Sequence, residues 1–197
     1  MGRSNRNQGS YFRKFNFVRF IIYDLEATCW LGRPPGGINE IIEIGAVMVD
    51  PTGDVLSSFS KFVKPTVNPR LSGFCKKLTS ISQENVDRAD KYPKVIDQFK
   101  DWINVYEEDY RLCSWGKYDK VMLTDNCNLH KMELEWLESS TDLKSEYHEI
   151  KGEHKLTGLK NTLKKEGMEF TGTHHRAISD AENTAKIFIK YVDEWRW

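Results

Sequence analysis

Two acidic residues two positions apart close the first apolar run of the chain, in Tyr23-Asp24-Leu25-Glu26-Ala27-Thr28. In an extended strand the side chains at i and i+2 share a face. Asp24 and Glu26 therefore point the same way from the end of a buried strand. Paired carboxylates there repel one another unless a cation lies between them. Hard divalent cations take oxygen ligands, and Mg²⁺ commonly combines one or two protein carboxylates with substrate phosphates. Taken alone, the pair equally fits a strand that has left the core, with both acids in water. Asp119, in Ser114-Trp115-Gly116-Lys117-Tyr118-Asp119, follows a short strand and opens a helix. An acid in that place also serves simply to complement the helix dipole. A third group, His175-Arg176-Ala177-Ile178-Ser179-Asp180-Ala181, precedes the last helix. Ser179 and Glu182 have capping-box spacing, which starts that helix near Asp180 and uses Glu182 as the cap. Asp180 then fits a first-turn acid. A histidine near a metal-bound acid fits a general base, because its unperturbed pKa is about 6.5. His174 and His175 are adjacent, and one of them suits an exposed loop.

These groups need a scaffold. Phe17 to Tyr23 is aromatic and β-branched, which predicts a strand. Two more strands are predicted at Ile41 to Asp50 and Val55 to Lys64, joined by the turn Pro51-Thr52-Gly53-Asp54. Near-continuous apolar runs in the first two imply a sheet covered on both faces. The period then changes. Val95, Ile96, Phe99, Trp102, Ile103 and Tyr106 share one helical face between Pro93 and Tyr106. Arg111 to Trp115 reads as a short strand, and Tyr118 to His130 and Leu156 to Lys165 as helices. Ala181, Ala185, Phe188, Tyr191, Val192 and Trp195 form the apolar stripe of a long C-terminal helix. Three strands followed by alternating helix and strand predict an α/β domain, a central mixed β-sheet flanked by helices, over 15–197. Residues 1–14 read as a polar, basic arm.

Composition narrows the function. The 197 residues are 39% hydrophobic and 29% charged, which fits a folded soluble domain. Lys plus Arg and Asp plus Glu both total 29, so the net charge is zero. That excludes a whole-molecule basic field but not a local basic groove. No apolar run approaches the roughly 20 residues of a membrane helix. Cys29, Cys75, Cys113 and Cys127 form no CxxC pair and read as free thiols. With no apolar signal core at the N-terminus, a reducing cytoplasm is the expected setting. Lysines between Lys151 and Lys165 make the segment before His175 basic, and suit a track for a nucleic-acid backbone.

Together, Asp24-x-Glu26, Asp119 and His175-x4-Asp180 resemble the DEDDh pattern of the 3′-to-5′ exonuclease superfamily, with its RNase H-like fold. The resemblance runs from about Val18 onward. It is nearest to the branch of enhanced-RNAi and histone-mRNA 3′-exonucleases and bacterial KapD-like proteins. Asp24-Leu25-Glu26-Ala27-Thr28-Cys29, Pro34-Pro35 with Glu40-Ile41-Ile42-Glu43-Ile44-Gly45, and Phe74-Cys75 with Leu78-Thr79-x-Ile81-x-Gln83 all look like that branch. Lys117 departs from it where some relatives carry an acid, which changes the local charge expected around substrate.

The resemblance implies two Mg²⁺ or Mn²⁺ ions, about 4 Å apart, held by Asp24, Glu26, Asp119 and Asp180, with Asp24 on both. It implies that His175 takes the proton of the attacking water, and that nucleoside 5′-monophosphates leave a 3′ end. It also implies single-stranded nucleic acid as substrate, RNA in preference to DNA. Leu25, Ala27 and Thr28 would meet the terminal nucleotide, with Thr28 on its 3′ hydroxyl. Trp115 would wall the pocket, and Trp30 is a candidate platform for a second base. A DNA exonuclease, or a binding module on the same fold that does not cut, are the alternatives.

Overall fold

A computed structural model describes residues 18–196. The basic arm and Phe17 lie outside the described residues, as does Trp197. Three strands, β1 (Arg19–Ala27), β2 (Ile41–Val49) and β3 (Val55–Phe62), form an antiparallel meander. Then come α1 (Gly73–Thr79), α2 (Gln83–Asp87), α3 (Tyr92–Ile103), β4 (Tyr110–Ser114) and α4 (Tyr118–Leu129). A short edge strand β5 (Ser140–Asp142) precedes α5 (Leu143–Ile150), α6 (Leu159–Lys165) and α7 (Ala177–Lys190). The sheet order is β3-β2-β1-β4-β5, with β4 parallel to β1 and β5 parallel to β4. This is the mixed sheet the sequence predicts, with β1 at its centre.

Strand parity decides what β1 offers to each face. Ile21, Tyr23 and Leu25 enter one core with Val95, Ile96 and Phe99 of α3 and Leu123 of α4. Phe20 and Ile22 enter the other with Ala181, Ala185 and Phe188 of α7. Asp24 and Glu26 continue the second set, so the two acids face α7. Both layers are apolar, which is why β2 is buried along its whole length.

One contact sets how closely α7 approaches. Gly45 stands opposite Asp24 in the β1–β2 register. A Cβ built there would lie 2.1 Å from the backbone N of Ile178 and 2.2 Å from the carbonyl carbon of Ala177. Backbone atoms cannot swing aside as a flexible side chain can. Gly45→Ala is therefore expected to cost at least ~2 kcal/mol as α7 is pushed off the sheet. Urea unfolding measures this, and an unchanged midpoint would show that α7 docks without that contact.

β1 runs from Arg19 to Ala27, with both acids inside its last pleats as expected. Other boundaries differ from expectation. α7 begins at Ala177, not near Asp180, and Arg176 is its N-cap. The Ser179–Glu182 capping box does not form. Ser179 lies inside the helix and accepts the Thr173 N–H at 3.3 Å, and Glu182 is exposed. The helix ends at Lys190, so Trp195 packs beyond it, with its indole N–H donating to the Phe188 carbonyl at 2.8 Å. α3 ends at Ile103, and α6 starts at Leu159 rather than Leu156.

Candidate active site

The three motifs meet at the C-terminal end of β1. Oxygens of Asp24, Glu26 and Asp180 lie within 4.8 Å of one another. Atoms of His174, His175 and Asp180 form a second such group. Asp119 belongs to neither, but it borders the same cavity of about 380 Å³ from the first turn of α4. The Leu25 N–H and its own N–H hydrogen-bond to its carboxylate. His175 sits at φ +61°, in the left-handed region that non-glycine residues seldom occupy. Its backbone N–H donates to Asp180 Oδ2 at 2.8 Å, and its Nδ1 lies 3.9 Å from Glu26 Oε1.

Burial is the first cause of the electrostatics here, and like charge the second. Asp24 is raised well above the usual carboxylate range by burial and then by Asp119, Asp180, Glu26 and Glu43. Glu26 is pushed up to about 8 by burial and then by Asp180 and Glu43. Burial pushes Asp119 up to about 7 against the pull of its two backbone N–H donors. Asp180 is also raised by burial. His175 moves the other way, lowered by burial and by His174, which leaves its imidazole neutral near pH 7 and able to accept a proton. Crowded carboxylate oxygens that resist ionising together are a hard donor set with unmet demand for positive charge. They fit divalent cations.

Of the residues expected to meet substrate, Leu25, Ala27, Thr28 and Trp115 border the cavity, and Trp30 does not. Trp30 is half-buried in the loop after β1. The Thr28 side chain is fully buried, and its hydroxyl accepts the Glu40 N–H at 2.9 Å. That hydroxyl ties the end of β1 to the start of β2. Trp115 serves both roles, since its indole N–H donates to the Thr157 carbonyl at 3.3 Å while it walls the cavity. Sequence reasoning passed over Asn39, Leu78, Tyr118, Met122 and Leu159, which line the cavity too. Tyr118 is 61% exposed at its rim. An aromatic immediately before an acid that opens a helix was the available signal. The basic segment is partly neutralised within the fold. Lys151 pairs with Glu166, and Lys165 with Glu153. Lys155, Lys160 and Lys164 remain exposed.

A mixed sheet whose central strand carries two acids, with a third acid on the last helix and a histidine in the loop before it, defines an RNase H-like nuclease domain. The chain belongs to the DEDDh 3′-to-5′ exonuclease superfamily, and the Exonuclease (RNase T) family model matches residues 21–188. It is 32% identical over 184 residues to human 3′-5′ exoribonuclease 1, covering 88% of this chain but only 52% of that protein. Thus the chain spans about half the length of that relative. It is also 32% identical to the probable 3′-5′ exonuclease KapD of Bacillus subtilis, over 88% of this chain and 84% of KapD. The crystallographic nuclease domain of 3′hExo, a DEDDh family member bound to rAMP, superposes with a TM-score of 0.83 at 29% identity. That match covers 91% of this chain and 96% of the domain. Membership in this superfamily implies dependence on divalent metal ions, in accord with the donor set.

Proposed function

We propose that this chain is a metal-dependent 3′-to-5′ exonuclease that shortens single-stranded nucleic acid, RNA in preference to DNA, and releases nucleoside 5′-monophosphates. The observation that carries the reading is the meeting of Asp24, Glu26 and Asp180 within 4.8 Å, with His175 Nδ1 3.9 Å from Glu26 Oε1. Asp24, Glu26, Asp119 and Asp180 are the residues that would hold two Mg²⁺ or Mn²⁺ ions. Bound there, the ions supply charge stabilisation for an in-line displacement at phosphorus and acidify the attacking water. Leu25 and Trp115 wall the space for a terminal nucleotide, and Tyr118 offers an exposed ring at its edge. His175 accepts the water's proton on its neutral imidazole. Its left-handed backbone turns the ring toward Glu26 while its N–H stays on Asp180. The preference for RNA is supported by the exoribonuclease names of the relatives and by the rAMP bound to the similar domain.

The test uses matched 5′-labelled RNA and DNA oligomers, single- and double-stranded, with Mg²⁺, Mn²⁺ or EDTA. A ladder receding from the 3′ end and lost in EDTA is expected, faster on single-stranded RNA. Folded protein that cuts nothing in either metal would leave only the non-cutting binding module. His175→Ala is expected to lower kcat by ~10²–10⁴-fold. Adenosine 5′-monophosphate should bind the variant as it binds the wild type, because the histidine is needed for proton transfer and not to hold the product. A variant at full rate would remove His175 from the chemistry.

A further inference from the structure

Glu43 stands directly opposite Glu26 across the β1–β2 ladder. Like charges paired across strands destabilise a sheet, and at 1% exposure Glu43 has no water to solvate it. Its oxygens are met instead by the start of α7. Arg176 Nε lies 3.2 Å from Oε1 and 3.1 Å from Oε2, and its Nη2 lies 2.7 Å from Oε1. The Ala177 N–H donates to Oε2 at 3.0 Å. Ala177 opens α7, and Arg176 at the N-cap makes no side-chain cap. A carboxylate from a neighbouring strand therefore takes the place of the local cap, where the helix dipole favours negative charge. The Arg176 guanidinium also lies 5.2 Å from the centre of the Phe62 ring, which holds the plane of its donor fork.

This clamp lies next to the reacting groups. His175 precedes Arg176 by one residue, and Asp180 follows Ala177 within the first turn. A left-handed non-glycine residue persists only where its surroundings hold it. His175 is held on one side by Asp180 and on the other by the chain that Glu43 grips. We infer that Glu43 and Arg176 are positioning residues, which fix the His175–Asp180 segment against the two acids of β1. The inference rests on the nuclease reading above. A shift of about 1 Å in a positioned group can cost on the order of 10²-fold in rate. Neither residue borders the cavity, so substrate binding should be spared.

The experiment compares wild type, Arg176→Met, Glu43→Gln and the double variant on a single-stranded RNA oligomer with Mn²⁺, with a thermal melt of each. Arg176→Met leaves a buried carboxylate unpaired beside Glu26. It should lower kcat on the order of 10²-fold with KM changed less than ~3-fold. Adding Glu43→Gln removes that stranded charge and keeps an oxygen for the Ala177 N–H. The double variant should regain ~10-fold or more of the lost kcat. Arg176→Lys keeps the charge and loses the fork, and gives an independent reading should Arg176→Met not fold. It is expected to melt as wild type with kcat down ~10-fold. Full activity in Arg176→Met or Arg176→Lys, a loss confined to KM, or a double variant no better than the single would overturn the inference. Wild type that is inert in every divalent ion would instead sink the nuclease reading, so the two failures are distinguishable.

Discussion

Replacing Asp24 by Asn is expected to reduce hydrolysis by on the order of 10³-fold or more, and at the same time to stabilise the metal-free protein. The two effects share one cause. Asp24 is half-buried near the end of β1, with Asp119, Asp180, Glu26 and Glu43 all acting on it. Its folded-state pKa lies above the unfolded value, so the folded protein resists losing that proton. Wherever the unfolded chain is ionised, at neutral pH for instance, the ionised side chain costs folding free energy. Asn matches the shape and carries no charge, which removes the cost along with an anionic oxygen donor. A thermal melt in EDTA and a rate measurement in Mn²⁺ on one preparation make the comparison. A lower melting temperature, or a rate near wild type, would refute the assignment of this carboxylate.

The second expectation concerns the metal-free wild type, whose stability should fall as pH rises from about 4.5 to about 8. Glu26 moves from an ordinary 4.5 to about 8, and Asp119 from 3.8 to about 7. Both folded-state values are raised, so across this window these two acids hold more protons in the folded protein than in the unfolded one, which outweighs the small opposite shifts of His174 and His175. Stability therefore decreases with pH there and levels off above about 8. The drop should be on the order of a few kcal/mol, since one pKa unit corresponds to about 1.4 kcal/mol and the acids titrate together. A saturating divalent cation should flatten the slope and add about 2.7 kcal/mol at a hundredfold excess over Kd. Urea unfolding at several pH values, with EDTA and with Mn²⁺, reads both. A flat profile in EDTA would mean that the acids are solvated, contrary to their burial.

The alternation of β1 made both the strand and its acids legible. Apolar residues on both parities marked a covered sheet, and i, i+2 spacing put Asp24 and Glu26 on one face. Parity with Phe20 and Ile22 also decides which face, but only once α7 is known to cover it. The helix start was misread because Ser179 and Glu182 satisfy a local capping pattern. The real cap is Glu43, 134 residues from Ala177 in sequence, and no local window reveals it. Glu43 itself appeared in the motif Glu40-Ile41-Ile42-Glu43 as family likeness and not as an anchor. Tyr118 and Asn39 were passed over because their place at the cavity depends on how α4 meets the loop before β2. Their side chains meet there, with Asn39 Nδ2 3.4 Å from the Tyr118 hydroxyl. Trp30 drew a stacking role from its type and its place just after the first strand, and it does not border the cavity. α1, α2 and β5 are seven, five and three residues long, too short for periodicity to stand out.

The residues that form the site are spread along the chain. β1 supplies Asp24 and Glu26, α4 supplies Asp119, α7 supplies Asp180, and the loop just before α7 supplies His175. A ribosome releases these parts in order, and at ~5–20 residues per second α7 follows β1 by roughly ten to thirty seconds. Until then β1 carries its two acids without the helix that opposes them, and β2 displays Gly45 and Glu43 with nothing docked. Until α7 docks, Asp180 is not beside Asp24 and Glu26, so the oxygen donor set exists only in the completed fold.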